Sequence, residues 1–188
     1  MTSGIIRVVV GVNGGIPRPA INVWHANVAD AEGGDSQTVV DAIRDFYTTA
    51  ASIFPTSVTM TIGQAVTLIT SVPPIIIGIT PRVVAGTGTG GASAAQLAEV
   101  VSWRTPFAGR SFRGRTYLGP IAVSALTGGI LSTPVVTACQ NAANAYVAAS
   151  NSAAAWDAKV WSEKLQSSSQ ITSAVANSKV ETQRRRNR

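Results

Sequence analysis

The sequence has few charged residues, one cysteine and one histidine. Only 13% of its 188 residues are Asp, Glu, Lys or Arg, whereas globular chains average about 25%. Because 45% are hydrophobic, the composition excludes a chain that stays disordered. A single Cys excludes a disulfide framework and a cysteine-based zinc site, and a single His leaves few metal ligands. The length fits one domain.

Long hydrophobic runs are also missing. Ile75–Ile79 is typical of the apolar runs in this chain, and it is far below the roughly 20 residues of a membrane helix. The first residues, MTSGIIRVVV, lack the charged start and long apolar stretch of a signal peptide. We therefore expect a soluble intracellular domain without membrane association, cofactor or metal, and short of catalytic side chains.

The positive charge lies almost entirely in the second half. Residues 1–98 carry four Arg and five acids, a net charge of −1, whereas residues 99–188 carry eight Arg, three Lys and four acids, a net charge of +7. Arg suits fixed, planar hydrogen-bonded contacts better than Lys does. A polar surface with few charges and clustered Arg is typical of a protein that packs against other subunits.

Strand patterns dominate the chain. Strands are predicted at Ile5–Val12 and Ile21–Val28, which could pair as a hairpin, and at 58–62, 66–72 and 75–84. Residues 97–105 read as strand or helix, 115–123 and 158–165 as strands, and 171–180 as a weak last strand. Because the strand segments are mostly contiguous, we predict an α+β domain with a mainly antiparallel sheet. A jelly-roll β-sandwich is the alternative.

Two amphipathic helices complete this prediction. The first has an apolar stripe from Val39 to Phe54, an N-cap at Asp35 or Ser36, and a stop at Pro55. The second begins with Thr133 at the cap and Pro134 at the first helical position. Its apolar face comprises Val135, Val136, Cys139, Ala142, Ala143, Tyr146 and Val147. A single structural domain is expected over 1–180, followed by a basic tail at 181–188.

Signals for catalysis or nucleotide binding are weak. Gly86–Gly91 spells GxGxxG, but no acidic residue lies between Glu99 and Asp157 to hold a ribose and no Lys follows the glycines. A glycine-rich loop is the favoured interpretation. For His25 and Cys139 a structural role is favoured, because a catalytic base or nucleophile needs an activated partner. Asp30, Glu32 and Asp35 could bind calcium, but a solvated turn is favoured because their spacing matches no calcium loop.

The segment Trp103–Tyr117 (WRTPFAGRSFRGRTY) is the most informative. It interleaves arginines with aromatic residues and has no acid, and Gly109 and Gly114 indicate tight turns flanking a protruding loop. Such a set suits a subunit interface, nucleic-acid contact through phosphates and base stacking, or a structural β-hairpin. The candidate contact residues here are Trp103, Arg104, Arg110, Arg113, Arg115 and Tyr117.

The C-terminal run Thr182–Arg188 adds a second basic segment. Its candidate contact residues are Arg184, Arg185, Arg186 and Arg188. A terminal basic run is often an arm that contacts nucleic acid or an acidic groove. A solvated end without a specific contact is the alternative.

Three segments resemble a pattern in uncharacterised virion structural, capsid- or coat-like proteins of bacteriophages and environmental viruses. They are VVSWRTPFAGRSFRGRTYLGP (100–120), VWSEK (160–164) and ETQRRRNR (181–188). The matching residues are Arg104, Thr105, Gly109, Arg110, Arg113, Gly114, Arg115, Tyr117 and Thr182–Arg186. The resemblance implies a virion context without a reaction. It leaves open whether the role is capsid, decoration or tail component.

We therefore expect a viral structural protein that assembles with itself as a capsid or coat, or decorates a virion, and that is not an enzyme. Its expected partners are further copies and other virion subunits, with viral nucleic acid as a further candidate partner through the basic tail. The expected location is the virion, assembled in the host cytoplasm. The alternative function is a nucleic-acid-binding module that uses the Arg-aromatic segment and the tail. Particle symmetry, host, and an RNA or DNA genome stay open.

Overall fold

The first two strands form the predicted hairpin. The computed structural model describes residues 2–14, 20–93, 98–128, 130–134, 137, 141, 146, 157–162 and 165–172. Strand β1 (Gly4–Asn13) pairs antiparallel with β2 (Ala20–Val28). Alternate residues of β1 are buried beneath the helix that follows, while Arg7 on the opposite face is exposed. The alternation is incomplete, because Ile5 and Gly11, which share a face with Arg7, are buried as well.

The first predicted helix is confirmed, but its predicted N-cap is wrong. Helix α1 (Asp35–Thr49) continues as one turn of 3-10 helix, Ala50–Ile53, and ends before Pro55. The N-cap residue is Gly34, and no side chain caps the helix. The φ of Gly34 is 104°, a conformation that glycine adopts without strain. Asp35 lies in the first turn instead, where its Oδ2 accepts a hydrogen bond of 2.9 Å from the Asp30 amide. Its charge there complements the positive end of the helix.

The predicted strands 58–62 and 66–72 form one long strand, β3 (Thr59–Leu68). The pairing with β1 shifts between Val9 and Val10, because Gly63 and Gln64 are extra residues in β3. Conversely, the predicted strand 75–84 is divided into β4 (Ile75–Ile76) and β5 (Arg82–Ala85). Both pair with the side of β3 that faces away from β1, so they form one edge of this sheet.

A second antiparallel sheet contains, in order, β11 (Leu165–Thr172), β10 (Asp157–Ser162), β6 (Ala98–Phe107) and β7 (Arg110–Leu118). Within the ambiguous segment 97–105, the residues from Ala98 onward are strand and belong to β6, which pairs with β7 along its length. A 3-10 turn, Val123–Ala125, follows β7 and replaces the end of the predicted strand 115–123. The other described strands, β8 (Leu126–Thr127) and β9 (Ile130–Leu131), pair with each other.

Antiparallel sheets combined with one long helix place the described chain in the predicted α+β class. The strand orders of the two larger sheets, β2-β1-β3-β4 and β11-β10-β6-β7, differ from the order in the jelly-roll alternative, which is built from two Greek keys. The second predicted amphipathic helix stays a prediction, because Val135, Val136, Cys139 and most of its other residues lie outside the described ranges. The weak strand 171–180 is described only to Thr172, as the end of β11, and the boundary at 180/181 lies outside those ranges.

The main core lies between the first sheet and α1. Trp24 of β2 is fully buried at its centre, with ring centroids 5.1 Å from Phe46 and 4.6 Å from Tyr146, both edge-on. Edge-on aromatic pairs add about 0.5–1.5 kcal/mol beyond the burial of their area. Leu118 and Ile121 belong to the same buried cluster, so the end of β7 and the residues after it are anchored in the core of the first sheet.

Candidate contact surface

The Arg-aromatic segment forms the β6–β7 hairpin. Its last pair is Phe107 opposite Arg110, so only Ala108 and Gly109 make the turn. Both have positive φ, 46° and 75°, which is the mirror-image turn that matches the twist of a hairpin. The prediction of a turn at Gly109 is therefore confirmed. The prediction of a second turn at Gly114 is wrong, because Gly114 lies within β7.

Two candidate arginines lie directly opposite each other on this hairpin. Arg104 of β6 pairs with Arg113 of β7, and Arg115 lies two positions further along β7. Because residues i and i+2 of a strand share a face, these three positions belong to one face of the hairpin. Like charges directly opposite each other destabilise an antiparallel pair. An anionic group placed between them would remove that repulsion.

The other face of the hairpin lies against β2. The Thr105 hydroxyl donates a hydrogen bond of 3.0 Å to the carbonyl oxygen of His25, and the Tyr146 hydroxyl donates to the same oxygen. The ring of Phe112 lies 5.8 Å from the His25 imidazole. Thr105 and Thr116 are buried. The hairpin is thus held by one face, and the arginine positions 104, 113 and 115 are on the opposite face.

Asn22 attaches the far end of the hairpin to the first sheet. Its Oδ1 accepts a hydrogen bond of 2.9 Å from the Tyr117 amide, and its Nδ2 donates to the Tyr117 carbonyl at 2.8 Å and to the Tyr47 hydroxyl at 2.9 Å. The side-chain amide therefore satisfies both backbone groups of Tyr117. A sequence signal for this residue exists, since alternation places Asn22 on the buried face shared by Trp24.

The candidate contact residues divide into three groups. Trp103 and Arg104 lie on β6, and Arg113 and Arg115 lie within β7. Arg110 is exposed directly after the turn, and the half-buried Tyr117 is held through its backbone. All six lie on the hairpin, but alternation brings only the positions 104, 113, 115 and 117 to one face, and positions 103 and 110 belong to the other face, with Thr105 and Phe112. The four arginines of the tail, Arg184, Arg185, Arg186 and Arg188, lie outside the described residues.

His25 is arranged as a neutral structural residue. Burial of its imidazole, with the positive charge of Arg7 opposite it on β1, lowers the pKa of His25 to about 4. At neutral pH such a group carries no charge, and it is a poor general base because a base works best with a pKa near the working pH. The structural interpretation of His25 is consistent with this environment.

The glycine-rich loop is packed against the 3-10 turn that follows α1. The Gly88 amide donates a hydrogen bond of 2.8 Å to the Phe54 carbonyl. A Cβ added to Gly86 would lie 2.1 Å from the Pro55 carbonyl oxygen, and one added to Gly88 would lie 2.6 Å from the Ser52 carbonyl oxygen. These glycines allow two backbone segments to approach closely, which accounts for them without a nucleotide.

The acidic loop before α1 uses its carboxylates for local hydrogen bonds. Asp30 Oδ1 accepts from the amides of Thr2, at 3.4 Å, and Gly33, at 3.2 Å, and Asp35 accepts from the Asp30 amide. In the part of the chain that the structure describes, no group of three or more His, Cys, Asp or Glu could hold a metal ion. The calcium alternative therefore has no support among these residues.

Comparison with known proteins identifies no relative: no protein-family model, curated protein or solved structure matches this chain. Among the helices described, none is long and apolar enough to cross a membrane.

Proposed function

We propose that this protein is a viral structural protein that assembles with copies of itself, as a capsid or coat subunit, or that decorates a virion. In this role the β6–β7 hairpin is a contact surface and the protein catalyses no reaction. The basic tail contacts a neighbouring subunit or the viral nucleic acid. The particle assembles in the host cytoplasm.

The observation that carries the proposal is the pairing of Arg104 with Arg113. A repulsive pair lowers the stability of the isolated subunit, so its presence is understandable if a partner supplies the compensating negative charge. Arg is also enriched at interfaces because its guanidinium makes planar, bidentate contacts with carboxylates and phosphates. The resemblance of 100–120 and 181–188 to virion structural proteins supports the same proposal.

Negative-stain electron microscopy of the purified protein tests assembly directly. We expect shells, tubes or rings, and light scattering should show species much larger than the 19.4 kDa chain. Ser substitution of both Arg104 and Arg113 should reduce particle formation, whereas Arg7→Ser, which removes an exposed arginine of the first sheet, should not. The proposal is contradicted if the protein remains monomeric at high concentration, with and without nucleic acid, and no copy is found on virus particles.

The second candidate function is a nucleic-acid-binding module, favoured by the same Arg face together with the tail. Binding that depends on phosphate contacts should weaken steeply as salt increases. Deletion of 184–188 separates the two functions. If the deletion weakens binding of a single-stranded oligonucleotide, the nucleic-acid function gains support; if it blocks particle formation and leaves oligonucleotide binding unchanged, the structural function does.

A further inference from the structure

The edge of the first sheet formed by β4 and β5 is exposed, apolar and uncharged. The large side chains Val72, Ile76 and Val83 are exposed by 97%, 83% and 66%, and Ile75 is partly exposed beside them. β4 and β5 pair with β3 on one side only, and among the described strands none pairs with their other side. This edge therefore presents both apolar side chains and backbone hydrogen-bonding groups to solvent.

The sequence around this edge is unusually poor in charge. Between residues 46 and 98 Arg82 is the one charged residue. Globular domains carry about 25% charged residues on average, and Lys is a common device that prevents edge strands from pairing. Interface centres, in contrast, are depleted of charge. The composition of this edge is that of an interface.

The single charge is neutralised within the subunit. Arg82 Nε and Nη2 donate to the two carboxylate oxygens of Asp41 at 2.7 and 3.3 Å, and this contact lowers the pKa of Asp41. Gln37 on α1 accepts from the Thr80 amide at 2.8 Å and donates to the Thr80 carbonyl at 3.2 Å. These bonds fasten the residues before β5, and Arg82 itself, to the helix. Thr80 and Arg82 are thus held to α1 before any partner binds, and this pre-organisation lowers the entropic cost of association.

We propose that this edge pairs with the same edge of a second copy, β5 against β5 and antiparallel, about a two-fold axis. The inference deepens the proposed function and rests on its self-assembly. Two copies of an uncharged edge can approach without like-charge repulsion, and a two-fold interface requires a surface that complements itself. A two-fold contact through the β6–β7 hairpin would instead place Arg104 and Arg113 of one copy against the same arginines of the other.

Pro81 has no amide hydrogen, so it limits the paired segment to β5. The side chains of Val72, Ile76 and Val83 add apolar contacts beside this segment.

Sedimentation velocity over a range of protein concentrations tests this pairing. The wild type should show a concentration-dependent dimer, and Val83→Lys should raise the dimer dissociation constant at least about 30-fold, because it places a charge at the centre of the interface. The matched control is Ile21→Lys. Ile21 is also a β-branched strand residue, 63% exposed, but it lies on β2, so its substitution should leave the dimer intact.

Hydrogen exchange provides a measurement that does not depend on a variant. The amides of Arg82–Ala85 should exchange more slowly as the wild-type concentration rises, while those of exposed Gly78 and Thr80 should change less. Absence of this protection overturns the proposal, and so does a dimer that Val83→Lys leaves unchanged or a wild type that is monomeric throughout.

Microscopy of the same samples separates the two proposals. A Val83-dependent dimer without particles contradicts the capsid or coat role alone, whereas particles unaffected by Val83→Lys contradict the edge pairing alone.

Discussion

The side-chain amide of Asn22 holds both backbone groups of Tyr117, a residue 95 positions further along the chain. A third hydrogen bond joins the same amide to the Tyr47 hydroxyl, and Asn22 is only 1% exposed. Burial of Tyr47 strongly disfavours the phenolate form and therefore raises the pKa of Tyr47. The Tyr47 hydroxyl thus remains protonated at physiological pH. One polar side chain thus connects the edge of the first sheet, helix α1 and the end of the β6–β7 hairpin.

Asn22→Ala should lower the free energy of unfolding by about 2–4 kcal/mol, because the amide and carbonyl of Tyr117 lose their Asn22 partner and the buried Tyr47 hydroxyl loses one of its hydrogen bonds. Urea unfolding monitored by fluorescence measures this loss. The control is Asn13→Ala, because Asn13 is exposed at the end of β1, and it should change stability by less than about 0.5 kcal/mol. Equal effects of the two substitutions would contradict the role of the Asn22 amide.

Such cross-sheet contacts mark the limit of prediction from the sequence. Strand β2 and helix α1 follow from local periodicity, since they have an alternating and a helical apolar pattern, whereas β1 follows from a run of β-branched residues that ends at Asn13 and Gly14. The bulge at Gly63 and Gln64 is not visible in that way. The exposed Gln64 stands where an apolar residue would continue the alternation of Ile62 and Val66, so one strand resembles two. The partner of Asn22 is equally hidden, since the sequence shows a polar residue on a buried face but not which backbone it meets.

The contact surface was predictable in composition and not in geometry. The cluster of Arg and aromatic residues is evident from the sequence, but its pairing depends on where the turn falls. A loop flanked by turns at Gly109 and Gly114 would separate Arg104 from Arg113. The two-residue turn at Ala108 and Gly109 instead places them opposite each other, because a shift of register changes every cross-strand pair.

His25 should make the protein less stable as the pH falls from about 6.5 toward 4. Its pKa is about 4 in the folded protein and about 6.5 when unfolded, so the unfolded chain binds the additional proton in this interval and is favoured. With allowance for partial solvent exposure, we expect a loss of about 2 kcal/mol. His25→Asn should remove this part of the pH dependence in urea unfolding measured at each pH. Because His25 is the single histidine, the NMR titration of one imidazole signal provides an independent measurement; a midpoint near 6.5 would refute the assignment.

Gly86→Ala should destabilise the fold by about 1–3 kcal/mol, because the added Cβ would overlap the carbonyl oxygens of Pro55 and Phe54. The control is Gly78→Ala. A Cβ at Gly78 meets no atom within 4 Å, so this change should be neutral or stabilise slightly by restricting the unfolded chain. Thermal unfolding of both variants provides the comparison. If Gly86→Ala unfolds at the wild-type temperature, the close packing of this loop is not required.

Ala108→Asn should stabilise the hairpin by about 0.5–1 kcal/mol. Ala108 has a φ of 46°, a conformation that costs most residues about 1–2 kcal/mol but that Asn tolerates, and Asn-Gly is the preferred pair in this turn. The side chain is exposed, so the effect comes from the backbone. Ala108→Val is the opposite test and should destabilise, because a branched Cβ fits this conformation poorly. Chemical unfolding of both variants should therefore give changes of opposite sign.

Arg113→Thr should separate stability from binding on the hairpin. Removing one member of the Arg104–Arg113 pair relieves like-charge repulsion and introduces a residue that favours strands, so the isolated subunit should gain about 0.2–1 kcal/mol. Contact with an anionic partner should weaken at the same time. If that partner is nucleic acid, the slope of log K against log salt should decrease by about one unit. If that partner is a carboxylate of another subunit, assembly should weaken while oligonucleotide binding does not change.

Arg7→Thr on the exposed face of β1 is the control and should alter neither stability nor binding. A variant that loses stability and retains full binding would show that the opposed arginines serve the fold, and the contact surface would then have to be sought elsewhere.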